Sequence, residues 1–221
     1  MNKDPHFLVL ARHGQSEGNH QNIFTGWRDL PLTPRGEEEA QLAGRRLLNM
    51  GVVFDTAFAS KLSRASASCE LMLQAMGQNN IPIERNVALN ERDYGDLTGL
   101  NKDQARRQFG DEQIRQWRRS YAVAPPNGES LRDTIARVLP FYINMILPAT
   151  MRGRAALVVA HGNSLRSLMF ALEGLSTEEI VRTELGTAEM RFYRIDNGAF
   201  AKLEGRWAVP AEAPSILPRE C

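Results

Sequence analysis

Cysteine is nearly absent from this chain: Cys69 and Cys221 are the only two in 221 residues. That scarcity excludes a disulfide framework and a cysteine-based metal site. Long apolar runs are missing as well. No stretch approaches the roughly 18 consecutive apolar residues of a membrane-spanning helix. Met1 to His6 is polar, without the apolar core of a secretory signal, so a cytoplasmic location with no membrane partner is expected. An excess of charge is also lacking. The formal net charge of +1 gives no general attraction to nucleic acid, so any anion must be held by a local cluster. With 43% hydrophobic and 24% charged residues the composition is that of a folded globular protein. The length suits one α/β domain, residues 1–221, better than two.

Histidine is scarce too, but two of the four stand in matching settings. Leu8 to Ser16 reads LVLARHGQS, and Leu157 to Ser164 reads LVVAHGNS. Each is a short apolar run, then a histidine, a glycine and polar residues able to start a helix. Continuous apolar runs of this length fit strands covered on both faces, as in a parallel sheet. His13 and His161 would then stand at strand carboxyl ends, where open α/β sheets bind ligands. His6 and His20 belong to neither setting and are expected to face solvent.

Between these two runs the chain alternates. Thr33 is a good N-cap and Pro34 suits the first helical position, with Glu37 to Glu39 near the positive end of the dipole and Gly51 as the stop. Phe54 to Ala59 reads as a second strand, and Ser60 as the cap of a helix from about Lys61 to Met76, with Arg64 in its first turn. Ile81 to Ile83 suggests a weak third strand, placed at an edge by Pro82. Periodicity fails across Leu89 to Leu100, which has little to bury and reads as a functional loop. Asp103 to Arg119 is helical, interrupted near Gly110. Ser130 and Asp133 cap a core-facing helix that Pro140 should kink or break. Ala155 to Ala160 is another buried strand, followed by helices over Ser164 to Leu172 and Thr177 to Thr183. Met190 to Ile195 suggests a strand that turns through Asp196, Asn197 and Gly198 towards Phe200, and an irregular tail follows from about residue 204. Strands alternating with helices predict a three-layer α/β/α domain with a mostly parallel sheet.

The chemistry follows from what gathers at the strand ends. A glycine turn and a helix N-terminus beside His13 favour an anion, and the guanidinium forks of Arg12 and Arg64 match phosphate oxygens. A neutral imidazole is a competent nucleophile toward phosphorus, and Glu91 is positioned in sequence to carry the proton of a hydroxyl. Two histidines invite a metal reading. However, there is no H-x-x-x-H or cysteine-rich spacing, and clustered arginines would repel a divalent cation, so no metal is expected.

RHGQS at Arg12 to Ser16, with Asn19, resembles the signature of the histidine phosphatase superfamily. Several further stretches are similar to the cofactor-dependent phosphoglycerate mutases of that superfamily: FTGW at Phe24 to Trp27, LNERDYGDLTGLNK at Leu89 to Lys102, WRRSY at Trp117 to Tyr121, GESL at Gly128 to Leu131 and AHGNSLR at Ala160 to Arg166. The resemblance implies interconversion of 3-phosphoglycerate and 2-phosphoglycerate through a phosphohistidine, primed by 2,3-bisphosphoglycerate and without a metal. It makes His13 the nucleophile, Arg12, Arg64 and His161 the phosphoryl clamp, and Glu91 the proton carrier. It puts Ser16, Asn19, Thr25, Gly26, Gly162 and Asn163 in the phosphate lining. Tyr94, Lys102, Arg118 and Arg119 become the binders of the glycerate carboxylate and second phosphate. It also implies a homodimer. A phosphomonoester phosphatase on the same scaffold is the alternative, and a phosphate-binding regulatory protein a more distant one. Two departures stand out. Gly18 replaces the tryptophan usual in these mutases, which should loosen the turn after His13. LGTAEM at Leu185 to Met190 replaces a usual IPTGVP, retaining Thr187 but putting Ala188 for a glycine and adding the charge of Glu189 near an anion site.

Overall fold

A computed structural model describes residues 6–152, 155–196 and 199–203. The polar start before His6, the turn at Asn197 and Gly198 and the expected irregular tail lie outside them. Six strands, β1 (His6–Arg12), β2 (Thr56–Ser60), β3 (Ile83–Asn86), β4 (Ala156–Ala160), β5 (Met190–Asp196) and β6 (Ala199–Leu203), make one sheet in the order β3-β2-β4-β1-β5-β6. The first four strands run parallel, and β5 and β6 are added as an antiparallel pair beside β1. The register pairs Arg12 with Ala160, which brings the residues that follow, His13 and His161, side by side.

Continuous apolar strands arise because both faces of the sheet are covered. Val9, Ala11, Ala57, Ala59, Leu157 and Val159 point to one face, where α2 (Pro34–Asn49) and α3 (Ser63–Ala75) contribute Ala40, Ala43, Leu47, Cys69 and Met72. Leu8, Leu10, Phe58, Ala156 and Val158 point to the other, against Val138, Phe141, Leu165 and Leu168. Each large side chain buried this way contributes about 1.5–3 kcal/mol. The three-layer α/β/α architecture is therefore as expected.

The remaining helices are α1 (Glu17–His20), α4 (Lys102–Phe109), α5 (Asp111–Arg119), α6 (Leu131–Phe141), α7 (Leu147–Met151), α8 (Gly162–Glu173) and α9 (Thr177–Arg182). Thr33 accepts from the Gly36 amide with Pro34 at the first position, and Ser130 and Asp133 cap each other, as expected. Several expectations shift. The residue before α3 is Leu62, not Ser60. The Ser60 hydroxyl instead accepts from the Leu62 amide and donates to Asn90, tying the end of β2 to the loop after β3. The third strand begins at Ile83, just past Pro82, and occupies the sheet edge that a residue without an N–H permits. Helix α8 starts at Gly162 rather than Ser164. At Pro140 the helix runs on for one residue and then widens into a π turn, Tyr142–Ile146. His20 is exposed, whereas His6, which opens β1, is half-buried. Within Leu131–Met151 an 18-residue window reaches a mean hydropathy of 1.2, enough by length and composition for a spanning segment, although charged and polar residues interrupt its apolar run; one side of it packs in the core through Val138, Phe141 and Ile146.

Close backbone approach sets the entrance to α2 against the turn after β1. A Cβ on Gly14 would lie 2.0 Å from the Gly36 carbonyl oxygen, and one on Gly36 would lie 1.9 Å from that of Gln15. Main-chain atoms cannot rotate away from such a contact. Gly36→Ala is therefore expected to lower unfolding free energy by about 1–3 kcal/mol, read as a lower urea midpoint at unchanged slope. A midpoint equal to wild type would show that the two backbones separate freely.

Candidate active site

Each parallel strand delivers one or two functional groups at its carboxyl end. β1 ends in Arg12 and leads to His13, β2 leads through Leu62 to Arg64, β3 leads to Glu91, and β4 leads to His161 and Asn163. Together they face a cavity of about 230 Å³. Its lining includes Arg12, His13, Ser16, Asn19, Thr25, Gly26, Arg64, Glu91, Tyr94, Lys102, Arg118, Arg119, Gly162 and Asn163. Every anticipated site residue is thus at the cavity except His161. That ring is fully buried behind His13, with ring centroids 4.9 Å apart and planes at 60°.

The protonation of His13 is set by its own turn. Nδ1 lies 2.6 Å from the Gly14 carbonyl oxygen, which can only accept, so Nδ1 carries the hydrogen and Nε2 keeps its lone pair. Burial, then the guanidinium groups of Arg12 and Arg64, push the imidazole well below its ordinary value. His161 is lowered in the same way, first by burial and then by Arg64, and neither of its ring nitrogens has a hydrogen-bond partner among the described residues. The turn itself is pinned by the Gly14 amide donating to Ser68 Oγ.

The two arginines nearest the nucleophile are fixed by backbone oxygens. Arg64, only 1% exposed, donates to the carbonyls of Arg28 and Gly26. Burial lowers it to about 10, so it stays charged at neutral pH. Arg12 Nη1 donates to the Leu185 carbonyl at 2.7 Å. Ser16 and Asn19 cap α1 reciprocally. Arg118 and Arg119 come from the last turn of α5, and Lys102 opens α4, where burial and then Arg118 lower its pKa. Burial would raise the Tyr94 phenol, but the Arg92 cation and its hydrogen bond outweigh it and the net direction is down.

Glu91 is held from both sides. Its Oε1 accepts from the Arg92 amide at 2.7 Å, the Asn163 amide at 3.2 Å and Asn163 Nδ2 at 2.8 Å. From behind, Arg137 of α6 donates to the carbonyls of Val87, Ala88, Asn90 and Glu91, stacks over Trp27, and pairs with Glu129. Glu129 in turn accepts from the Asp93 amide, just past Glu91. The aperiodic stretch buries more than its sequence suggested, because Leu97 joins Phe24, Ala105 and Ile114 in a small core under the loop.

Two expectations are corrected. The turn after His13 is not loosened by Gly18: a Cβ there would lie 2.3 Å from Thr25 Oγ1, so Thr25 and Leu30 already occupy the space beside it. Glu189 does not line the cavity; its carboxylate accepts from the Gly186 amide and lies 3.8 Å from Arg191. The second carboxylate at the cavity is Glu184, unnoticed in the sequence, as was the buried guanidinium of Arg166. Arg166 could have been found as the last residue of AHGNSLR; nothing in the sequence around Glu184 signalled it. Arg92, Glu129 and Arg137, within or beyond the quoted motifs, were likewise assigned no role. Among the described residues, no group of three or more His, Cys, Asp or Glu side chains is arranged to hold a metal ion.

The family model described as histidine phosphatase superfamily (branch 1) matches residues 8–206. The chain belongs to the histidine phosphatase superfamily. Within it, the chain is 55% identical over 199 residues to a 2,3-bisphosphoglycerate-dependent phosphoglycerate mutase of Rhodopseudomonas palustris (strain BisB18), covering 89% of this chain and 96% of that one. It is 57% identical over 188 residues to a protein of the same name from Xanthobacter autotrophicus (strain ATCC BAA-1158 / Py2), covering 85% and 91%. A solved structure, that of a putative alpha-ribazole-5'-P phosphatase from Escherichia coli, superposes with a TM-score of 0.76 at 27% identity, covering 95% of this chain and all of that one.

Two buried neutral imidazoles have a pH signature. An unfolded histidine takes up a proton below its ordinary value of 6.5, and folded His13 and His161, lowered below it, do not. Their contribution to stability is complete above that pH and is lost as pH falls through it, each by up to about 1.4 kcal/mol per pH unit. Between about pH 7 and about pH 5.5 the urea midpoint should fall, and His161→Gln should fall less steeply. Parallel slopes for the two proteins would exclude His161 as a buried neutral group.

Proposed function

We propose that this protein is a 2,3-bisphosphoglycerate-dependent phosphoglycerate mutase, interconverting 3-phosphoglycerate and 2-phosphoglycerate. The observation that carries the reading is the joint placement of a neutral, correctly tautomeric His13 and six cationic side chains, Arg12, Arg64, Lys102, Arg118, Arg119 and Arg166, around one cavity. A phosphatase needs one phosphate site. A bisphosphorylated three-carbon acid needs more positive charge than that, spread over a wider wall, and the outer arginines with Lys102 supply it. The identities of 55% and 57% to proteins named as mutases support the same substrate.

The residues fit the priming compound: the ring nitrogens of His161 and the Nε atoms of Arg12 and Arg166, without hydrogen-bond partners among the described residues, are buried donors or acceptors at or just behind the cavity. When bound, 2,3-bisphosphoglycerate supplies the phosphoryl group that charges His13. Arg12, Arg64 and His161 hold that group, with Ser16, Asn19, Thr25, Gly26, Gly162 and Asn163 lining its site, and the cations offset charge on its equatorial oxygens. In transfer from His13 to a substrate hydroxyl, the new P–O bond forms as the N–P bond breaks, and Nε2 recovers its lone pair. Glu91 takes the hydroxyl proton through Oε2, since Oε1 already accepts three hydrogen bonds, and returns it when the other phosphoryl group moves back to His13. Tyr94, Lys102, Arg118 and Arg119 bind the carboxylate and second phosphate. No metal takes part in this scheme. The protein acts as a single cytoplasmic domain on a small phosphorylated substrate, without nucleic acid or membrane partner, and pairs as a homodimer.

A phosphatase is the second reading, favoured by the name of the 27% identical structural relative. Incubation with 3-phosphoglycerate and a chelator, with and without catalytic 2,3-bisphosphoglycerate, separates the two. The mutase yields 2-phosphoglycerate with little free phosphate and depends on the bisphosphate; phosphate release without isomer would establish the phosphatase instead. His13→Ala should abolish labelling by bisphosphate, and persistent label would mean another nucleophile. Arg137→Met should lower kcat at least about tenfold with KM nearly constant, because it releases Glu91 and leaves the cations in place; an unchanged kcat would mean that the loop holds Glu91 without it.

A further inference from the structure

The segment between α9 and β5 is stitched to the nucleophile strand. Ala188 donates its amide to the His13 carbonyl at 3.2 Å, Arg12 donates its own to the Glu189 carbonyl at 3.0 Å, and Arg12 Nη1 holds the Leu185 carbonyl. One residue further out, this segment presents Glu184 to the cavity. Its Oε1 pairs with Arg119 and lies 4.0 Å from Nη2 of Arg166. Arg166 is buried, has an unpartnered Nε among the described residues, and donates to Asn163 Oδ1 at 3.3 Å. Asn163 is the residue that grips Glu91. One internal carboxylate therefore sits on two outer guanidinium groups of the anion pocket. The Glu184 side chain is 61% exposed, so solvent already reaches it on its outer side.

We propose that Glu184 is a built-in competitor for the substrate carboxylate at Arg119, that Arg166 is a second guanidinium at that end of the cavity, and that Glu184 is displaced when a phosphorylated carboxylic acid binds. The proposal rests on the mutase reading for the nature of the ligand. Its physical basis is that a guanidinium fork engaged by one carboxylate offers its best geometry to no other. A phosphomonoester lacking the carboxylate leaves Glu184 where it is, and an acid must exchange one ion pair for another. Glu184 thereby weakens acid binding and eases product release, and Arg166 couples an occupied subsite to Asn163 and Glu91.

Two ligands that differ only at this group test it. Calorimetric titration of the full-length protein with 3-phosphoglycerate and with glycerol 3-phosphate compares a carboxylate with a hydroxymethyl on the same phosphomonoester. Glu184→Gln should tighten 3-phosphoglycerate about fivefold, the scale of one partly screened ion pair, and glycerol 3-phosphate much less. Arg166→Met should weaken 3-phosphoglycerate more than glycerol 3-phosphate. Weaker binding of 3-phosphoglycerate by Glu184→Gln would mean that Glu184 holds Arg119 ready for substrate, and equal tightening of both ligands would mean a diffuse charge effect; either overturns the proposal. A protein that gives the expected binding pattern but no isomerisation loses the mutase reading and keeps the subsite. One that isomerises while giving either contrary pattern keeps the first and loses the second.

Discussion

The parallel pairing of β1 with β4 is the constraint on which the site depends. Its register sets Arg12 opposite Ala160, so the next residue of each strand is a histidine and the two rings touch above the sheet edge. A slip of one residue would turn one of them to the opposite face of the sheet. That register is enforced from below, because Leu8, Val9 and Leu10 are buried on both faces opposite Ala156, Leu157 and Val158. The chemistry is thus placed by apolar packing that never touches a ligand.

The second governing condition is unbalanced positive charge in a partly dry space. Burying cations without carboxylates is costly, and the fold offsets this with oriented carbonyls: Gly26 and Arg28 for Arg64, Leu185 for Arg12. Carbonyl dipoles hold a guanidinium without neutralising it, so the attraction for an anion survives. The same condition keeps both histidines neutral, and in His13 it coincides with a tautomer fixed by the Gly14 carbonyl. At the rim, where Glu184 meets Arg119, a full countercharge is present instead.

What could be read from the sequence follows the same division. Strands β1 and β4 were legible because burial on both faces leaves a continuous apolar run, and the α2 and α6 caps because capping is a local bargain among neighbours in the chain. The phosphate end of the site was legible for a related reason: His13, Arg64, Glu91 and His161 each follow a strand or open a helix. β3 was misplaced because an edge strand reading IERN is only partly buried and carries no strong pattern. Glu184 and Arg137 escaped since their roles depend on where one element hands the chain to another. Arg137 clasps the Glu91 loop from a helix far along the chain, and Glu189 was expected near the anion site because only the turn after α9 decides that Glu184 lines the cavity and Glu189 does not.

The contact between Gly18 and Thr25 gives a residue outside the cavity a hold on its wall. With Thr25 Oγ1 2.3 Å from the place a Cβ would take, the hydroxyl fills the space that a side chain at position 18 would claim. Any larger residue there has to turn or shift Thr25, which lines the cavity although Gly18 does not. The bare glycine thus sets the orientation of a polar group beside the nucleophile without touching the space a ligand would enter.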